Sequence, residues 1–228
     1  MNFFNPDSEA YALMSSFADM VLLNLCFIVG CLPIFSIGAS VTAMYTIFGR
    51  RLRGESGGVI VPFFQTWWKE IKLSTVYWLM ELVIVLLLLF DIRYASLNAQ
   101  NGSGMMSILS GICIFLLVFV VMIGTVLYPQ LARFQNTFAN YLKNSMILCM
   151  GKLGWVLLNL LVFAIPFLFY FAAPKPFIYT AFIWPAFGLS ALFYLSARIM
   201  RHVLKPLEPK TEEPEKEETE KEQEDSRE

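Results

Sequence analysis

Residues 17–48 contain no lysine or arginine, and Asp19 is their only charge. As a helix this stretch is about 48 Å long at ~1.5 Å per residue, against a bilayer hydrocarbon core of ~30 Å. That is too long for one straight crossing and cramped for two. The run Leu32-Pro33-Ile34-Phe35-Ser36-Ile37-Gly38 interrupts it near the middle, because proline lacks an N–H and its ring clashes with the preceding turn. The simplest expectation is a single span that bends at Pro33 and leaves the membrane at Arg50-Arg51-Leu52-Arg53. A re-entrant hairpin is the alternative, and it would carry the N-terminus to the arginine side. Basic residues at a span edge mark the cytoplasmic side.

The rest of the chain fits a membrane setting. Of its 228 residues, 57% are hydrophobic and 15% charged, with mean hydropathy +0.60. A soluble domain of this size does not need so much apolar surface, so the integral-membrane class follows. The net charge of −1 conceals a split: 12 Lys/Arg against 7 Asp/Glu up to Leu204, and 5 against 11 from Lys205 onward. The body is mildly basic and the tail acidic, which argues against a nucleic-acid partner. Cys26, Cys31, Cys113 and Cys149 form no Cys-x-x-Cys pair and read as buried thiols, not as a disulfide or metal site. With His202 as the sole histidine, neither a histidine-based zinc site nor a Ser-His-Asp triad can be built in the bundle. No metal, cofactor or catalytic residue is expected.

Three units follow from these patterns: an N-terminal segment (1–16) opening on the turn Asn5-Pro6-Asp7-Ser8, a transmembrane helical region (17–204), and a disordered acidic tail (205–228) too polar to fold. Further spans are expected over 73–90, 105–127, 153–171 and 177–197, the last kinked at Pro185 and preceded by the tight connection Pro174-Lys175-Pro176. Residues 91–104 read as a polar loop. Two amphipathic stretches, 63–72 and 128–144, place Phe63, Trp67 and Ile71, and then Phe134, Phe138 and Leu142, at four-residue spacing. Both suit interfacial helices on the cytoplasmic side. An offset of 71 aligns them and permits a repeat, although such spacing is common to any interfacial helix. The fold class is therefore all-α: a polytopic membrane bundle of about five transmembrane helices with two cytoplasmic-side interfacial helices. Counting Lys and Arg by loop puts the N-terminus outside and the C-terminus inside.

Glu81 is the residue most in need of explanation. It stands nine residues beyond Lys72, hence about 13 Å deeper along a helix at ~1.5 Å per residue, near the bilayer midplane. A charge there costs roughly 2.5–3.5 kcal/mol on insertion scales. Asn159 and Asn24 lie at depths suited to hydrogen-bond it, so Glu81, Asn159 and Asn24 form a candidate intramembrane polar site for a proton or a solute. The plainer alternative is a neutral carboxyl that joins helices. Asp19 reads as a solvated residue at the outer end of the first span. Arg50, Arg51, Arg53, Lys69, Lys72, Arg133 and Lys143 form a cytoplasmic basic edge, explained by topology or by contact with anionic headgroups or a partner. Gly54-Glu55-Ser56-Gly57-Gly58 lacks the Lys-Ser/Thr of a phosphate loop.

Several motifs resemble the YesL family of bacterial integral membrane proteins. They are Asn24, Leu32-Pro33 with Ile37-Gly38, Ala43, Arg53-Gly54-Glu55, Phe63-Phe64 and Trp68-Lys69. Beyond them come Asp91, Pro129-x-x-Ala-Arg-Phe-x-Asn-Thr and Leu142-Lys143-Asn144. The likeness extends over residues 2–200 and includes no catalytic motif. It implies a bacterial cytoplasmic membrane and an association with carbohydrate uptake or polysaccharide degradation. Two functions are then expected: an auxiliary factor beside a sugar-transporter permease, or a small-solute or proton-coupled transporter that would need a homo-oligomer.

Overall fold

A computed structural model describes residues 9–55, 57–99, 104–172 and 184–207. Seven α-helices run through them: α1 (Glu9–Cys31), α2 (Ile37–Leu52), α3 (Ile60–Ala99), α4 (Gly104–Arg133), α5 (Phe138–Gly151), α6 (Leu153–Ala172) and α7 (Leu189–Leu204). There is no strand among the described residues. Four helices are long and apolar enough to cross a bilayer, over Met14–Cys31, Ile60–Asn98, Gly104–Arg133 and Leu153–Ala172. The all-α membrane-bundle class holds, and the chain is a membrane protein. Residues 1–8, with the turn expected at Asn5, the connection around Lys175 and the tail beyond Leu207 lie outside the described residues. So does the first part of the expected fifth span. Its described part is a π-helical turn, Trp184–Gly188, which contains Pro185 and leads into α7.

The first apolar stretch is a helical hairpin and not one bent span. α1 stops two residues before Pro33, since the residue preceding a proline is driven out of helical conformation. A short 3₁₀ turn, Ile34–Ser36, then reverses the chain. The Ser36 hydroxyl lies 2.7 Å from the Gly30 carbonyl and 2.8 Å from that of Pro33, holding the turn closed. Gly30 lets Ser40 approach, because a Cβ at Gly30 would overlap its hydroxyl. At the far end of the pair Arg51 donates to Asp19. In one continuous helix those two residues, 32 positions apart, would be separated by about 48 Å. The N-terminal part of α1 therefore lies on the arginine side, opposite to the placement expected from charge counting, and Asp19 is an ion-pair partner, not a solvated helix start.

α2 is the centre of the molecule: nine of its 16 residues are buried. Its face of small residues, Gly38, Ala39, Ser40, Thr42 and Ala43, lets neighbouring backbones come close, as small residues do between membrane helices. A Cβ at Gly38 would meet the Ser74 carbonyl on α3, and Thr42 and Ser74 share a hydrogen bond of 3.1 Å beside it. The Trp78 indole closes this contact by donating to the Ile34 carbonyl at 2.8 Å.

The first amphipathic stretch does not stand as a separate helix. It is the opening of α3, continuous with the second span and with residues 91–99, which had been expected in a loop. Phe63 is fully buried and Trp67 and Ile71 partly so, and Trp67 donates to the Gly30 carbonyl at 3.3 Å. The apolar face thus covers the α1–α2 hairpin. The second stretch is broken by residues 134–137 between α4 and α5, so the two do not form equivalent units and the offset of 71 marks no structural repeat. Beyond Glu81 the distal halves of α3 and α4 expose Leu86, Leu87, Phe90, Ile108 and Phe115, a surface suited to hydrocarbon.

α6 and α7 run antiparallel, with Trp155 stacked on His202 at 4.8 Å and Phe163 edge-on to Phe193 at 5.4 Å. Arg201 of α7 donates to the Leu52 carbonyl at 3.2 Å, and Thr46 of α2 lies 3.5 Å from the Ala132 carbonyl of α4. The ends of α2, α4 and α7 therefore gather at one pole.

Candidate functional site

Polar groups inside the bundle fall into separate clusters. Glu81 on α3 accepts a hydrogen bond of 2.8 Å from Tyr128 on α4. Gly124, one turn before Tyr128, makes the space: a Cβ there would collide with the Glu81 carboxylate. A cavity of about 220 Å³ adjoins the pair, walled by Met80, Ile84, Ile123, Leu142 and Met146 among others. The hydroxyl among its lining residues, on Tyr77, is already committed to the Phe138 carbonyl at 2.6 Å. This is an apolar pocket with one carboxyl at its edge.

Asn159 and Asn24 do not join Glu81. Asn24 is fully buried on α1, where the Ser190 N–H donates to its Oδ1 at 3.0 Å and the Ser190 hydroxyl lies 2.9 Å from the same oxygen. That bond ties the start of α7 to α1. Asn159 is fully buried on α6 close to the Tyr45 hydroxyl, and neither its Oδ1 nor its Nδ2 makes a hydrogen bond of good geometry. Tyr45 and Ser196 bond each other instead at 2.6 Å. A fourth pair, Gln130 and Ser145 at 2.8 Å, joins α4 to α5. Tyr128, Tyr45, Ser190 and Gln130 were not legible as partners, because a hydroxyl or amide in a span does not reveal which helix it faces.

The basic edge is divided. α2 ends in a Schellman turn: Gly54, with φ +79°, donates to the Arg51 carbonyl and Glu55 to that of Arg50. The turn delivers Glu55 to Arg50 at 2.9 Å and Arg53 at 2.7 Å. Those two guanidinium groups, Arg50 foremost, hold the exposed Glu55 carboxyl below its ordinary value. Their contribution is present above the ordinary carboxylate range and fades as the pH falls through the lowered value. Arg133 lies 5.9 Å over the Phe134 ring. Lys69, paired with Glu70 at 3.6 Å, and Lys72 stand elsewhere. Lys72 is 12 residues along α3 from Ile60, about 18 Å at ~1.5 Å per residue, near the tip of the hairpin. Lys143 is exposed on α5. The four cysteines are free, with Cys26, Cys113 and Cys149 buried.

Residues 20–92 match the model of a family described as a protein of unknown function, DUF624. The matched part takes in most of the α1–α2 hairpin, the arginine turn and α3 as far as Ile92, and so includes Glu81 and Asn24 but neither Tyr128 nor Asn159. No curated protein and no solved structure matches the chain.

Proposed function

We propose that this chain is a multi-pass protein of the bacterial cytoplasmic membrane, of the YesL type, with its C-terminus cytoplasmic. In this reading it works as a non-transporting accessory of a carbohydrate-uptake permease and is not an enzyme. The observation that carries the non-transporting part is the separation of the buried polar groups. Among the described residues, Glu81–Tyr128, Asn24–Ser190 and Tyr45–Ser196 each join two helices as separate pairs. A carrier places its polar groups along one cavity between moving halves. Here they act as joints that hold helices together.

Two further points support the reading. The carbohydrate setting rests on the YesL-like motifs alone; the match over residues 20–92, to a family of unknown function, is consistent with those motifs. The gathering of Arg50, Arg51, Arg53, Arg133 and Arg201 at one pole suits a cytoplasmic face. The test is mild cross-linking in native membranes, affinity purification and mass spectrometry. Recovery of sugar-transporter permease subunits, lost when Arg53 and Arg133 are replaced by glutamate, is the expected outcome. Recovery of this chain alone would reject the accessory role.

The apolar cavity beside Glu81 favours one competing reading, a small-solute or proton-coupled transporter. It requires that Glu81→Gln abolish uptake in reconstituted vesicles. The accessory reading expects the substitution to have no such effect.

A further inference from the structure

Three arginines from three different helices meet at one cavity. Arg53 follows the last turn of α2, Arg133 ends α4 and Arg201 lies near the end of α7. They line a cavity of about 60 Å³ whose other walls include the buried side chains of Tyr45, Met200 and Leu204. None of the described residues lining it is acidic. The carboxylate joined to Arg53 is that of Glu55, which is exposed and shared with Arg50. Arg201 commits one N–H to the Leu52 carbonyl and Arg133 also has a partner of its own, but a guanidinium carries five N–H donors, so each keeps others for a ligand.

Like charges converging on one small volume repel each other. The negative ends of α2 and α4 offset part of that repulsion, but they do not fill the cavity. A tetrahedral oxyanion does both. Guanidinium forks match its oxygens in pairs, and such charge-assisted hydrogen bonds are short and strong. The volume is several times the ~10–15 Å³ that one water needs, which suits a single compact anion better than a stretch of peptide. We propose that this cavity binds a phosphate group, carried either by a phosphomonoester lipid headgroup or by free phosphate. Bound there, it ties together the ends of α2, α4 and α7, adding to the Arg201–Leu52, Thr46–Ala132 and Tyr45–Ser196 contacts described above.

The test uses the full-length protein with two probes. Inorganic phosphate is titrated against chloride at matched ionic strength in detergent. In parallel, nanodiscs containing phosphatidic acid are compared with nanodiscs of matched charge containing phosphatidylserine. The readout is the midpoint of thermal unfolding. Arg133→Lys and Arg201→Lys keep the charge, and with it the insertion topology, but lose the fork. Each is expected to weaken the saturable response by roughly tenfold or more. Arg50→Lys, whose side chain does not line the cavity, is the control and keeps the wild-type response. A response to inorganic phosphate assigns the site to the free anion, and one confined to phosphatidic acid assigns it to a lipid headgroup. Absence of a saturable response to both probes, or an equal loss in Arg50→Lys, overturns the proposal. Unliganded midpoints of the lysine variants, expected to match wild type, separate lost binding from lost folding.

Discussion

Gly124 and Glu81 are a matched pair, since the carboxyl occupies the space that any larger residue at 124 would take. Gly124→Ala is expected to push Glu81 from its bond with Tyr128 and destabilise the protein by about 1–3 kcal/mol, the usual scale of overpacking. Glu81→Gln keeps an acceptor oxygen for the Tyr128 hydroxyl and should cost much less. Thermal unfolding of both variants in one detergent compares them directly, and equal midpoints would show that Gly124 is not what admits the carboxyl. Asn159 is the opposite case. Its amide is buried with no partner, a state that costs of the order of 1–3 kcal/mol. Asn159→Leu, which keeps the branching and the number of heavy atoms and removes the polar ones, should therefore leave stability unchanged or raise it. A marked fall would show that the amide is bonded after all. Glu81 was legible in the sequence because a lone carboxylate in an apolar run stands out. Its partner was not: depth alone suggested Asn159 and Asn24, and depth says nothing of the angle at which a side chain leaves its helix.

At the scale of elements, Pro33 shows where the first apolar stretch breaks but not which way the chain goes next. A proline removes one hydrogen bond and admits either a modest bend or a full reversal. The reversal here is decided by packing: Ser36 on the Gly30 carbonyl, Gly30 against Ser40, and Asp19 with Arg51. The last of these joins residues 32 positions apart, beyond the reach of any local pattern. The interfacial reading of residues 63–72 failed for a related reason. A stripe at four-residue spacing reports that one face is covered, and the covering surface can be lipid headgroups or another helix. The hairpin has a direct test. In a background without the four native cysteines, Asp19→Cys and Arg51→Cys should be joined by a short bifunctional maleimide, whose reach replaces the arginine side chain that bridges the two positions. A single bent span would hold the two thiols far outside that reach and give no cross-link.

For the whole molecule, the hairpin changes the parity of the topology. α1 and α2 leave the chain on the side where it began, α3 and α4 go out and return, and α6 and α7 do the same, as Trp155–His202 and Phe163–Phe193 require. The Arg201–Leu52 contact closes the circuit by bringing the end of α7 to the end of α2. Both ends of the described bundle therefore lie at the arginine pole. Composition correctly indicated membrane helices, yet counting spans from hydropathy treated the first stretch as one crossing and so put the ends on opposite sides. Single cysteines decide between the two. Ser16→Cys lies beside Asp19, Arg51 and Glu55 at a surface cavity, and Lys205→Cys follows α7. In intact cells a membrane-impermeant maleimide should label neither, and permeabilisation should expose both. Labelling of Ser16→Cys alone before permeabilisation would restore the single crossing and move the start of α1 to the opposite side, while the ends of α2, α4 and α7 that form the three-arginine cavity would stay together.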